Sequence, residues 1–573
     1  MIPEDSPGWR RGRLAAIAAL AVILFLPSVW NRDLWDPDEP GYAEATRQME
    51  VHGDWLVPHF NGGIYSEKPP LFFWLSLIAG KIPGVPAGSG GRLVGALASA
   101  GTLLLTWRIG ALLMGEATGT LAAFLLSGCI LFWNLAQSGV IDPLLAFLTT
   151  LAVYGFARHL RAMKKGMVVF YGAAGLAILA KGPVGLIVPA LAAIACRLLS
   201  AGPGGLRARH PLWGLPLAAA PAGLWLALAA KRAGPEYLHT MLFTQNVGRA
   251  VNAYVHHEPV WYYLMVLPLA LLPLTLFIPH AMVAAWREKI CGIRPVLLPL
   301  AWFATTFIFF TVVSSKKTRY MLVLAPAAAL LVAGWLMRRF FESNGRIREG
   351  RTLVMATAVL LAAVGAALAF PAIAGTSVLP ADALLALSEP GSEDALAALS
   401  GVLRWPSSLR ILVPASILLI AGLWACRLAL HRRSEALTAL LAGWLVCLAV
   451  AGAAWPPVLD PVKSARPLAA MVREHLPEGP LYLLDDNHPP GLNFYLPADA
   501  LPVLLRKEER IAASQIPGAA FMGRRELMER VEEKVGIRFF DRHCRRVGAT
   551  GFCIASARPP VAPMAGGADP GDR

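Results

Sequence analysis

The chain has 573 residues, 56% of them hydrophobic and only 16% charged. A soluble globular protein carries nearer a quarter charged residues, and apolar runs of about 18 residues, the length a bilayer requires, recur throughout, so an ordinary soluble enzyme is excluded. The formal net charge of +15 does not point to nucleic acid, because Lys and Arg sit in short clusters between apolar runs, as topology signals do.

The first apolar segment runs from Leu14 to Trp30, behind Arg10, Arg11 and Arg13. No small-residue cleavage site precedes NRDLWDPDE, so the segment reads as a retained helix with its N-terminus in the cytoplasm. Next comes an acidic, aromatic stretch marked by Pro and Gly, residues 33–70, holding Asp33, Asp36, Asp38, Glu39, Glu44, Glu50, Asp54 and Glu67. Carboxylates at a membrane surface are costly, which makes this the first place to look for chemistry. Leu71–Gly80 is apolar but reaches only about 15 Å as a helix, half the hydrocarbon thickness, and reads as an interfacial or re-entrant helix.

Twelve further apolar segments follow at roughly 92–110, 116–135, 143–160, 167–181, 183–200, 212–230, 261–285, 295–313, 320–338, 352–374, 409–426 and 435–455. Basic clusters around Arg158, Arg207, Arg287, Arg339 and Arg432 separate alternate segments. Placing all of them in the cytoplasm gives thirteen spans with the C-terminus outside. No inverted internal repeat of the transporter kind is visible.

From about residue 457 the composition changes. Alternation in 480–486 and 493–505 predicts strands, and 524–536 predicts an amphipathic helix. A GATG turn predicts a hairpin over 544–556. That hairpin would set Cys544 against Cys553, as a disulfide in an oxidising compartment or as two free thiols. Five of the seven cysteines (Cys129, Cys196, Cys291, Cys426, Cys447) lie in or beside apolar segments, and none has metal-type spacing. The expected architecture is an all-α polytopic membrane region over 1–456, a small soluble α/β domain over 457–557, and a disordered Pro/Gly-rich tail over 558–573.

The predicted topology gathers ionisable residues on the external face: Asp38, Glu39, Glu67 and Lys68; Asp142 in SGVIDP; Lys181 in AKGPVG; Arg249, His256 and His257; and Lys316, Lys317, Arg319 and Tyr320 in SSKKTRY. Clustered carboxylates suit a hydroxyl proton or a metal, and cations suit a phosphate. Each has a plainer reading when taken singly. Asp38 and Glu39 would favour a helix N-terminus, Lys68 would snorkel, and Asp142 would cap a span. The aromatic residues Trp55, Trp74, Trp261 and Tyr262 would serve as an interfacial belt.

At these residues the chain resembles a known family. Asp36, Asp38, Glu39, Tyr42, Ala43 and Glu44 are followed by Gly53, Asp54, Trp55 and Pro58, and then by Tyr65, Glu67, Lys68, Pro69 and Pro70. This order is similar to that of the lipid A aminoarabinose transferases, with the protein O-mannosyltransferases as broader relatives. The SGVIDP and KGP elements, the HxxPxWYY element from His256 to Tyr263, and Lys316, Arg319, Tyr320 and Pro326 follow in family order. The resemblance covers about residues 10–340 and implies a GT-C glycosyltransferase using a polyprenyl-phosphate sugar donor and a membrane glycolipid acceptor. It would act at the periplasmic face of a bacterial inner membrane.

Carried over by position, it makes Asp38 the catalytic carboxylate, with Glu39 and Asp142 beside it. Lys68, Arg249 and Arg319 would hold the lipid phosphate. Tyr42, Tyr65, Glu67, Lys181, Lys316 and Tyr320 would complete the substrate site, and Glu67 with His256 would be the candidate ligands of a divalent metal. Gly41 stands where the family carries Arg, and Asn246 where it carries His. The rival readings are transfer to Ser/Thr of a secreted protein, a lipid or solute transporter, and a non-catalytic envelope-assembly protein.

Overall fold

A computed structural model describes residues 7–60, 63–201, 212–243, 258–290, 295–341, 348–374, 408–431, 435–475, 480–484, 489–496, 503–505, 509–516, 518–547 and 550–558. They divide into two compact units. One is drawn from Met1–Arg32, Ala45–Thr376 and Leu403–Pro456, the other from Asp33–Glu44 and Pro457–Arg573.

The first unit is helical, and each of the thirteen predicted apolar segments coincides with a helix or a pair of helices. Among the described residues seven helices are long and apolar enough to cross a bilayer. An eighth span arises if Glu116–Ser127 and Ile130–Ala136, bent by 69° to each other, count as one. The other predicted spans coincide with helices that do not meet that length-and-apolarity criterion singly. Gly166–Lys181, Val184–Ser200 and Leu297–Val312 are apolar but shorter, the 16-residue ones reaching only about 24 Å. Leu71–Gly80 is the ten-residue helix that its sequence predicts.

Local chemistry sets the helix ends. In AKGPVG, Lys181 closes one helix and Gly182 follows at a φ of +86°, a backbone conformation that a side chain would strain. Pro183, with no N–H to leave unsatisfied, leads into the next helix, Val184–Ala201. Helices Ile141–Leu160 and Gly166–Lys181 touch at Gly155, where a Cβ would fall 2.5 Å from the Phe170 nitrogen. Small residues let backbones approach in this way where lipid offers no hydrophobic drive.

Two charged residues serve this packing. Arg92 is fully buried and donates to the carbonyls of Ser28 (3.2 Å) and Arg32 (2.7 Å), pinning the end of the first helix. Glu116, also buried, accepts from Arg10 at 2.9 Å and from the Trp107 indole at 3.1 Å. Arg10 thus has a buried partner besides its topological role.

The second unit holds a mixed sheet. A two-residue hairpin in the first unit comprises β1 (His59–Phe60) and β2 (Gly63–Ile64). The five sheet strands are β3 (Leu481–Leu483), β4 (Val503–Leu504), β5 (Ala520–Arg524), β6 (Arg538–Val547) and β7 (Thr550–Arg558), in the order β4-β3-β5-β7-β6. β3 runs parallel to β4 and β5, while β7 is antiparallel to β5 and β6. Alternation assigns the faces. Leu481, Leu483, Met522 and Ile554 pack with Leu468 and Val472 of helix Arg466–Glu474. Phe521, Cys553 and Ala555 pack with Met528 and Val531 of helix Arg525–Val535. In the predicted hairpin Cys544 pairs with Cys553, and the two form a disulfide.

The strand expected over 493–505 is corrected. Pro490–Tyr495 is a short helix, and among the described residues of that stretch only Val503–Leu504 forms a strand. Pro489, in extended conformation, sends the chain into a helical turn that buries Leu492 against the sheet, so tertiary packing overrides the local alternation.

Candidate functional site

In the first unit, four sequence elements that lie far apart in the chain come together. Asp142 stands in the first turn of helix Ile141–Leu160, where the helix dipole favours an anion. It is buried, and Lys181 donates to its Oδ1 at 2.5 Å. Arg319, from the 3-10 helix Thr318–Leu324, places Nε 3.6 Å from its Oδ2. The Lys181 ammonium also lies 4.8 Å from the centre of the Tyr320 ring, a cation–π distance. The Tyr262 hydroxyl shares a 2.9 Å hydrogen bond with Thr318, and the Tyr263 hydroxyl donates to the Lys317 carbonyl. Lys316 is buried and donates to the Glu258 carbonyl at 3.1 Å.

One buried carboxylate here serves two half-buried cations. Desolvating charges costs several kcal/mol per ion unless each finds a partner. Asp142 compensates Lys181 and Arg319, and the cluster retains a positive charge. Lys68 is close enough for its charge to be felt at Asp142. It is half-buried, and its ammonium donates to the Glu67 carbonyl at 3.1 Å. Tyr65 packs its ring 5.9 Å from Phe73, while Glu67 is exposed.

Asp54 of the GDW element has a structural task. Its Oδ1 accepts the N–H groups of Leu56 and Val57 at 3.1 Å, and its Oδ2 accepts from Arg232 at 3.3 Å. Burial works to raise its carboxyl, but these donors prevail and hold it below the usual value.

Arg249, His256, His257 and Asn246 lie outside the described residues. Among the described residues no group of three or more His, Cys, Asp or Glu side chains assembles for a metal. Of the two candidate metal ligands, Glu67 is exposed and His256 lies outside the described residues.

In the second unit the acidic segment leads into helix Asp38–His52, with Asp38 and Glu39 in its first turn. Asp38 is half-buried, whereas Glu39 and Tyr42 are buried. Glu39 reaches back to accept the Trp35 N–H at 2.9 Å, tying the incoming backbone to the first turn of the helix. Asp36 accepts the Gly491 N–H at 3.0 Å. Burial pushes the Asp36 carboxyl up to about 6, outweighing that hydrogen bond. Gly41 packs against Pro490, where an added Cβ would sit 3.4 Å from the ring.

Residues 11–202 match the dolichyl-phosphate-mannose-protein mannosyltransferase family. Over 446 residues the chain is 30% identical to undecaprenyl phosphate-alpha-4-amino-4-deoxy-L-arabinose arabinosyl transferase 1 of Sodalis glossinidius, covering 74% of this chain and 72% of that one. The chain belongs to the undecaprenyl phosphate-aminoarabinose arabinosyl transferase family. A second member, from Yersinia enterocolitica, is 30% identical over 62% of this chain and 66% of its own. The fold matches that of ArnT from Cupriavidus metallidurans bound to undecaprenyl phosphate, with a TM-score of 0.73 over 98% of this chain and 100% of that one at 20% identity. The apo form of the same protein matches at 0.72.

This arabinosyl transferase family member is thus a multi-pass membrane glycosyltransferase with the GT-C fold, as its motifs lead one to expect. Sequence reasoning misses Asp460, Tyr495 and Arg466, which contact the acidic segment from more than 400 positions away. No local pattern marks them, since each is an isolated polar residue in an otherwise ordinary amphipathic stretch.

Proposed function

We propose that this transferase moves 4-amino-4-deoxy-L-arabinose from undecaprenyl phosphate to lipid A or a related envelope glycolipid. It acts at the periplasmic face of the inner membrane, with its N-terminus in the cytoplasm and its C-terminus in the periplasm. The names of the relatives support the donor. The Cys544–Cys553 disulfide supports an oxidising compartment for the C-terminal unit.

The observation that carries the reading is the buried cluster in which Lys181 and Arg319 share Asp142. Two cations fixed about one anion form a preorganised site for a phosphate whose charge grows as it leaves. The acceptor hydroxyl oxygen attacks C1 of the sugar, and Asp38 takes its proton. The bond from C1 to the phosphate oxygen breaks, and its electron pair leaves with undecaprenyl phosphate. Lys68, Lys316 and Arg319 neutralise that charge, with Lys181 beside them, and Arg249 is assigned the same task. Tyr42, Tyr65 and Tyr320 shape the substrate site. With both its oxygens facing cations, Asp142 serves as their orienting counter-ion rather than as a base.

The test uses the full-length protein in lipid nanodiscs with the undecaprenyl-phosphate-linked sugar and lipid A, read by mass spectrometry. Asp38→Asn is expected to lower transfer by at least about a hundredfold. Transfer at the wild-type rate would sink the base assignment. The match of residues 11–202 to the protein mannosyltransferases favours a second reading, a Ser/Thr acceptor. Sugar found on peptide but not on lipid A would establish it.

A further inference from the structure

Asp38 opens its helix, so its position depends on the backbone that enters it. Where the N–H groups of that backbone go can be accounted for one by one. Asp33 N–H donates to Asp460 Oδ1 at 3.2 Å, and Leu34 N–H to the Tyr495 hydroxyl at 2.9 Å. Trp35 N–H goes to Glu39, and Asp36 N–H to the Lys463 carbonyl at 3.0 Å. Pro37 has none to offer. Every amide from 33 to 36 is therefore satisfied, three of the four by residues between 460 and 495.

Side chains reinforce the same seam. The Trp35 indole donates to Asp460 Oδ1 at 2.8 Å, so one carboxylate oxygen holds both a backbone and a side-chain donor. Arg466 donates to Asp33 at 2.8 Å. In the opposite direction, Gly491 N–H donates to Asp36. Trp35 and Ser464 form an antiparallel bridge. Hydrogen bonding this complete on an irregular segment leaves it little freedom.

We propose that Asp460 and Tyr495 are positioning residues for the transfer reaction, clamping the backbone ahead of Asp38 so that the C-terminal unit is a working part of the catalytic machinery. The inference rests on the reading of Asp38 as the base. Charge on Asp460 is secondary, because what the clamp needs is an oxygen that accepts two N–H donors. A misplacement of about 1 Å costs a reacting group up to about a hundredfold in rate, so even a partial loosening registers in kcat.

The experiment measures kcat and donor KM of full-length Asp460→Ala, Asp460→Asn, Tyr495→Phe and Asp38→Asn. Asp460→Ala is expected to lose about tenfold or more in kcat with donor KM held within about twofold. Asp460→Asn keeps an accepting oxygen and is expected to recover most of that loss, a rescue that a role for the charge alone would not give. Should Asp460→Ala fail to fold, Tyr495→Phe removes a single hydroxyl and is expected to lower kcat in the same sense. Wild-type kcat in folded Asp460→Ala or Tyr495→Phe, with Asp38→Asn inactive, overturns the clamp and leaves the base in place. Wild-type transfer by Asp38→Asn overturns the base reading itself, and the clamp with it.

Discussion

In the helical unit Asp142, Lys181 and Arg319 come from three separate helices and meet at the Asp142 carboxylate. In the C-terminal unit Asp33, Asp36 and Asp38 come from one short segment, with hydrogen bonds to Asp460, Lys463, Gly491 and Tyr495 gripping the backbone ahead of Asp38. The ion cluster concentrates its stability in a few strong, mutually dependent terms. The acidic segment spreads it over many weak ones, so it should degrade by degrees where the cluster fails as a whole.

The sharpest way to break that contrast is Asp142→Ala. It leaves two half-buried cations without their shared anion, and the loss of one partner of a fully buried ion pair, about 3–5 kcal/mol, sets the upper end of the cost. Thermal unfolding of the solubilised protein should show a large drop, accompanied by loss of transfer. A small change in melting temperature would mean that the helices hold Lys181 and Arg319 without Asp142.

Asp36 sharpens the other side. Its pKa of about 6 in the folded protein, against 3.8 ordinarily, means that folding favours the protonated form. The associated stability, about 3 kcal/mol, is complete below about pH 3.8. It is lost as pH rises through 6 and absent above. Asp36→Asn stays neutral and keeps an oxygen for Gly491 N–H. It should therefore melt at a higher temperature than wild type at pH 8 and at nearly the same temperature below pH 4. Tryptophan fluorescence at the two pH values checks this.

A smaller effect is expected at the hairpin. Replacing both Cys544 and Cys553 by Ser should cost the C-terminal unit about 2–3 kcal/mol, since the loop they close is short. Limited proteolysis would read that loosening between 538 and 558, with the buried ion cluster unaffected.

Helices and motif order are legible in the sequence because both are local. Apolar runs predict the helices, Gly182 and Pro183 mark a boundary, and the GATG turn sets the register of Cys544 against Cys553. The meeting of Asp142 with Lys181 and Arg319 is not legible, since pairings across 39 and more residues leave no periodic trace. For the same reason the acidic segment reads as part of the membrane region's first loop, whereas its backbone is built into the unit formed by the chain's last part. Span length is less legible, because apolar composition alone does not report how long a helix runs. Gly166–Lys181 and Leu297–Val312 are apolar enough but short.

The clamp on Trp35 also sets an order of events during synthesis. Its partner Asp460 is made 425 residues later, roughly 20–85 s at ordinary ribosome speeds of about 5–20 residues per second. Through that interval the backbone amides of Asp33, Leu34 and Asp36 lack the partners that they have in the finished fold. If the clamp is needed for transfer, a chain halted before residue 495 is expected to be inserted but idle.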